Sequence, residues 1–136
     1  MIEKIENVVL IDDEKFDRMH YCRVMERSGL VANVTVFQYA EDALEYLDRP
    51  DSPGADVLFL DINMPRMNGF EFLEAAEARF GPEFARIVII MLTTSLNPDD
   101  RVRAAAFAAV QDFINKPLDP NHVAHALGLL NSHRAA

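Results

Sequence analysis

Cysteine is nearly absent from this 136-residue chain. Cys22 stands alone, so no intrachain disulfide is available and nothing points to an oxidising compartment. No apolar run approaches the roughly 20 residues of a membrane span. The N-terminal M-I-E-K-I-E-N lacks the basic-then-apolar order of a secretory signal, so the expected location is the cytoplasm. Positive charge is in short supply: 13 Lys and Arg stand against 22 Asp and Glu, for a net charge of −9 and a pI near 4.8. That balance argues against a nucleic-acid-binding face and suits a basic partner surface or a metal cation. Repeats, low-complexity tracts and a linker long enough to divide the chain are also missing. What remains is an ordinary globular composition, 50% apolar and 26% charged. Its length fits one domain over residues 1–136 that buries its own core.

Within that composition the stretch V-L-F-L-D-I-N-M-P-R-M-N-G at 57–69 organises the rest. Four apolar residues in a row are too few for an ordinary helix and read as a buried strand ending at Asp61. Met64-Pro65 stops the strand, and Asn68-Gly69 turns the chain into a new helix. Similar runs predict strands over 5–11, 33–37, 87–92 and 112–115. The alternation of N-V-T-V-F places the second at an edge, and the solid run I-V-I-I-M-L places the fourth in the interior. Helical spacing predicts helices over 15–28, 41–47, 69–79, 98–109 and 120–130. Gly29 is the expected stop of the first, and Asn97-Pro98 the expected start of the fourth. The last five residues and their neighbour, N-S-H-R-A-A, are left outside the final helix. Five strands alternating with five helices predict an α/β fold, a parallel sheet covered on both faces. Ligands of such sheets sit outside the carboxyl ends of the strands.

Those ends carry a pattern. The first strand leads into Asp12-Asp13, the third ends in Asp61, the fourth in Thr93, and the fifth runs into Lys116. Two like charges about 4 Å apart repel by about 4 kcal/mol at an effective dielectric of 20, so three acids on one rim call for a cation. Hard oxygen ligands with room for water suit Mg²⁺. A hydroxyl and a mobile ammonium are groups that bind phosphoryl oxygens.

The motifs I-D-D-E at 11–14, L-D-I-N-M-P-R-M-N-G at 60–69, M-L-T-T-S at 91–95 and N-K-P-L at 115–118 resemble those of the receiver domains of two-component response regulators. The likeness is greatest to the stand-alone type related to the chemotaxis response regulator, and it covers about 8–130. The resemblance implies a doubly wound, flavodoxin-like sheet of order 2-1-3-4-5 with no output domain. It implies that Asp61 is the phosphoacceptor, taking a phosphoryl group from a sensor histidine kinase or a histidine phosphotransfer protein. Asp13, Asp61 and the main-chain carbonyl of Asn63 would hold Mg²⁺, with Asp12 helping through a water. Lys116 and Thr93 would stabilise the phosphoryl oxygens. Thr93 and Phe113 would act as the switch that remodels the face of the fourth helix, fifth strand and fifth helix toward a downstream protein.

Plainer roles exist for each residue. Asp12 could cap the first helix, Lys116 could be a solvated charge, Thr93 a strand end, and Phe113 a core aromatic. His20, His122, His125 and His133 show no metal-ligand spacing, and Cys22 reads as a passive small residue. Two positions depart from the family pattern. Thr94 replaces a small residue and should narrow access to Asp61; Ala109 replaces a common glycine, which is costly if its backbone is left-handed. A Mg²⁺-dependent phosphohydrolase with Asp61 as nucleophile is a rival reading, weakened because Asn63 stands where such enzymes place a second acid. A degenerate receiver that only binds partners is another.

Overall fold

A computed structural model of the chain describes residues 1–135. Five strands and five helices alternate: β1 (Ile5–Ile11), α1 (Lys15–Ser28), β2 (Val31–Phe37), α2 (Ala40–Asp48), β3 (Val57–Asp61), α3 (Gly69–Phe80), β4 (Val88–Thr93), α4 (Pro98–Ala105), β5 (Val110–Asn115) and α5 (Pro120–Ala135). All strand pairs are parallel, in the order β2-β1-β3-β4-β5.

The solid apolar runs become central strands because both of their faces are covered. Val9, Ile11, Leu58, Leu60, Ile89 and Met91 pack under α2, α3 and α4. Their chain neighbours Val8, Leu10, Val57, Phe59, Val88, Ile90 and Leu92 pack under α1 and α5. The two-residue period of the strand sorts them, odd from even. β2 is an edge strand with no fully buried residue, as its alternation predicts.

Several boundaries differ from the sequence expectation, the larger differences for tertiary reasons. β5 begins at Val110, two residues before the expected start, because Val110 pairs with Ile89. β2 begins at Val31 because Val31 pairs with Ile5. A 3₁₀ segment, Gly81–Arg86, follows α3 and buries Phe84, which packs edge-on against Phe72. α4 stops at Ala105 although the Ala-rich run after it favours helix; Phe107 stacks on Phe70 and Ala109 is buried. Packing overrides propensity there. Arg66 is the one non-glycine residue with a positive φ among the described residues, so Ala109 carries no left-handed strain and the helix ends differently. α5 runs five residues beyond Leu130. Asn131 exchanges hydrogen bonds with the backbone of Ile2 (2.7 and 3.0 Å), His133 meets the carbonyl of Ala85 (2.8 Å), and Arg134 pairs with Asp56 (3.1 Å).

Candidate functional site

Parallel strands in register bring their carboxyl ends to one rim. Ile11 pairs with Leu60 and Asp61 with Leu92, so the residues after β1 and at the ends of β3 and β4 are neighbours. Asp61 is 5% exposed and Asp12 and Thr93 are fully buried. Asp12, Asp13 and Asp61 each present an oxygen, and these oxygens lie within 4.8 Å of one another.

The backbone behind Asp61 is tightly held. Gly69 donates its N–H to the carbonyl of Ile62 (2.8 Å). A Cβ at Gly69 would lie 2.7 Å from the main-chain oxygen of Asp61, so only glycine allows this approach. Asn68 and Glu71 then form a reciprocal capping box that starts α3. In the intervening loop Arg66 adopts φ 71°. It pairs with Glu41 at 2.7 Å and lies 4.2 Å over the ring of Tyr39.

Lys116 supplies the positive charge. Its ammonium donates to Asp12 Oδ2 at 2.8 Å and to Asp17 Oδ2 at 2.9 Å, and stands 3.6 Å from Asp61 Oδ2. The Lys116 main-chain N–H donates to the carbonyl of Thr93 (2.8 Å), which ties the fifth strand's end to the fourth's. Asp12 also accepts the Glu14 N–H at 2.9 Å, and its carbonyl accepts from Arg18 at 2.8 Å.

Burial dominates the electrostatics. It pushes the Asp61 carboxyl up to about 7; the attraction of Lys116 opposes this, and the repulsion of Asp12 and Asp13 adds to it. Burial also raises Asp12 above the ordinary carboxylate range, despite its bonds to Lys116 and Glu14. Burial alone would lower Lys116. Its bonds to Asp12 and Asp17 and the charge of Asp61 outweigh that, so the ammonium is held above its usual range.

The donor set fits a small hard cation. Every candidate ligand is oxygen, three carboxylates share one locus, and a single ammonium does not balance them. Mg²⁺ has this preference. A cavity of about 520 Å³ lies elsewhere, lined by Leu47, Pro53, Phe84 and Ile87 among others, and none of the rim carboxylates lines it. A charged ion on an open rim needs no such enclosure.

A family model described as the response regulator receiver domain matches residues 8–128. The chain belongs to the response regulator receiver domain family. An uncharacterised response regulatory protein of Vibrio cholerae is 30% identical over 130 residues, 94% of this chain and 50% of that protein. Response regulator Rcp1 of Synechocystis is 30% identical over 97 residues, 68% of this chain and 65% of that protein. This receiver thus spans about half to two thirds of these curated relatives. The crystal structure of a two-component response regulator from Cytophaga hutchinsonii superposes with a TM-score of 0.89 at 24% identity. It covers 95% of this chain and 98% of that one, and it shows the shared fold.

The remaining positions named from the sequence fall as follows. Thr93 Oγ1 accepts the N–H of Ser95 at 2.9 Å. Asn63 and Thr94 are exposed. Phe113 is half-buried, with the Arg101 guanidinium 4.7 Å above its ring. The four histidines are dispersed: His20 lies beside Tyr21, His122 bonds Asp119, His125 bonds Asp112, and His133 bonds Ala85. The thiol of Cys22 is pushed up by burial.

Asp17 was not singled out from the sequence, because an acid in a helix's first turn already has a reason to be there. A signal was present. Asp17 lies four residues before Tyr21, whose spacing marks it as core-facing, so the carboxylate belongs to the inward stripe of α1. No helix among the described residues is long and apolar enough to cross a membrane.

Proposed function

We infer that this receiver works as an aspartyl-phosphate switch with Asp61 as its acceptor. The observation that carries the reading is the buried Asp61 carboxylate at the end of β3, with a fixed ammonium 3.6 Å away and two further acids beside it. A carboxylate oxygen of Asp61 attacks the phosphorus of a phosphohistidine on a kinase or phosphotransfer protein. An O–P bond forms, the N–P bond breaks, and the imidazole leaves with the electron pair. Phosphoryl transfer is mostly positioning and charge stabilisation. Lys116 meets the charge on the transferring oxygens, and the Thr93 hydroxyl bonds one of them once the phosphoryl group is in place.

Asp13, Asp61 and the main-chain carbonyl of Asn63 would hold Mg²⁺, with Asp12 acting through a water. When bound, the ion neutralises carboxylates that otherwise repel and draws charge from the phosphoryl oxygens. Giving up the Ser95 N–H frees Thr93 to turn toward the phosphoryl group. Phe113 then moves into the space released and leaves Arg101, which changes the surface of α4, β5 and α5 that a downstream protein reads. The acidic field of the chain suits a basic partner surface, and its chemistry is confined to its own carboxyl group.

Incubation with acetyl phosphate and Mg²⁺ should add one phosphoryl group, detected as a single mass increment, and Asp61→Asn should abolish it. Labelling that persists in the Asn variant, or a wild-type mass that never changes, overturns the assignment.

A further inference from the structure

Lys116 makes one more bond than the phosphoryl chemistry above uses. An ammonium has three N–H donors. Two are committed, to Asp12 at 2.8 Å and to Asp17 at 2.9 Å. The third carboxylate in reach, Asp61, stands at 3.6 Å, beyond a good hydrogen bond. The Lys116 side chain is only 8% exposed, so water has little room to take the last donor. Tyr21, one helical turn after Asp17 and buried, places its ring 5.9 Å from the ammonium. The first two turns of α1 therefore furnish one wall of the Lys116 pocket, Asp17 at the rim and Tyr21 below.

We propose that Asp17 is a positioning residue for phosphoryl transfer, acting through Lys116. With Asp12 it takes two of the three donors and leaves the third for the Asp61 side, where the phosphoryl oxygens arrive. It also restrains the ammonium from closing onto the Asp61 carboxylate, which would cover the nucleophile. Asp17 touches neither the reacting atoms nor the acid trio at Asp12, Asp13 and Asp61, so its effect falls on transfer and not on cation binding. This proposal rests on Asp61 being the acceptor.

The test compares Asp17→Ala and Asp17→Asn with the wild type, alone and in a Lys116→Met background. The first readout is the rate of Asp61 labelling by acetyl phosphate with Mg²⁺. Asp17→Ala should slow it about tenfold or more, the usual consequence of a displaced reacting group. Asp17→Asn, which keeps an acceptor oxygen, should recover part of the loss. Neither should change the stabilisation that Mg²⁺ alone confers in urea unfolding. In the Lys116→Met background Asp17→Ala should cause no further slowing, since the pair acts as a unit.

The second readout is the ¹⁵N signal of the Lys116 ammonium in the metal-free protein. It should be observable in the wild type and lost to solvent exchange in Asp17→Ala. Equal slowing with and without Lys116 would make Asp17 only an anchor of α1 and overturn the proposal, as would an unchanged rate. If the wild type takes no label on Asp61, the acceptor reading fails and the proposal falls with it. If the wild type is labelled but Asp17→Ala is labelled equally fast, the proposal alone fails. An ammonium signal unaltered by Asp17→Ala overturns it in either case.

Discussion

Replacing Asp61 with asparagine should make the metal-free protein more stable above neutral pH, although it removes the proposed acceptor. Burial holds the Asp61 carboxyl up at about 7, against an ordinary value of 3.8. Between those values the folded chain keeps a proton that the unfolded chain releases. The native state binds more protons there, so its stability falls as pH rises from about 4 to about 7 and stays reduced above that. Each pH unit is worth about 1.4 kcal/mol, and a shift of about three units gives a ceiling near 4 kcal/mol for this one group. Asparagine has nearly the same shape and no proton to lose. Lys116 retains Asp12 and Asp17 as partners in the variant, so no ammonium is stranded.

Urea unfolding in EDTA at pH 5 and pH 8 measures the effect; groups remote from Asp61 cancel in the difference between variants, and the altered repulsion on Asp12 is part of what is measured. The Asn variant should gain at pH 8 relative to pH 5 by on the order of 2–3 kcal/mol, the part of the shift that lies above pH 5. Saturating Mg²⁺ at pH 8 should restore the wild type by mass action, by about 2.7 kcal/mol at a hundredfold excess over its dissociation constant, and should help the variant much less. A wild type and a variant that share one pH profile would show that the Asp61 carboxylate is not held against its charge, and the electrostatic argument for a cation would fail.

Two other perturbations probe the frame around the site. Gly69→Ala places a methyl group 2.7 Å from the Asp61 carbonyl oxygen, and relieving it should cost about 1–3 kcal/mol in urea unfolding while slowing Asp61 labelling; a variant of full stability would mean the approach is looser than described. Asn131→Ala removes both bonds to the Ile2 backbone, and amide exchange should quicken in the last turn of α5 and at the N-terminus while β3 and β4 stay protected; unchanged exchange would show that the terminus is held by something else.

Much of the architecture was legible because it is written at short range. Val57–Leu60 and Ile87–Leu92 read as covered strands from their unbroken apolar runs, and Asn33–Phe37 as an edge from its alternation. Gly29 has the left-handed φ of 70° that its place after α1 suggests, and Asn97 caps α4 by accepting the Asp99 N–H. The misjudged boundaries share a cause. Ala105–Ala109 favours helix locally, yet Phe107 and Phe70 pull the chain out of it. The tail after Leu130 looks like a remnant, yet Asn131 reaches across 129 positions to Ile2.

The same division runs through the site. From the linear order alone it follows that acids, a hydroxyl and a lysine stand at the ends of the first, third, fourth and fifth strands, because strand ends are set by neighbours one and two residues away. Which of those groups touch is a separate matter. Lys116 meets Asp12 across 104 positions and Asp17 across 99, distances over which side-chain spacing along the chain carries no information. Only the folded sheet, by stacking β1 against β3 and β5 beyond β4 and laying α1 over that end, decided that one buried ammonium serves both a strand and a helix. Only the exclusion of water there turned an ordinary aspartate into one that holds its proton to about 7.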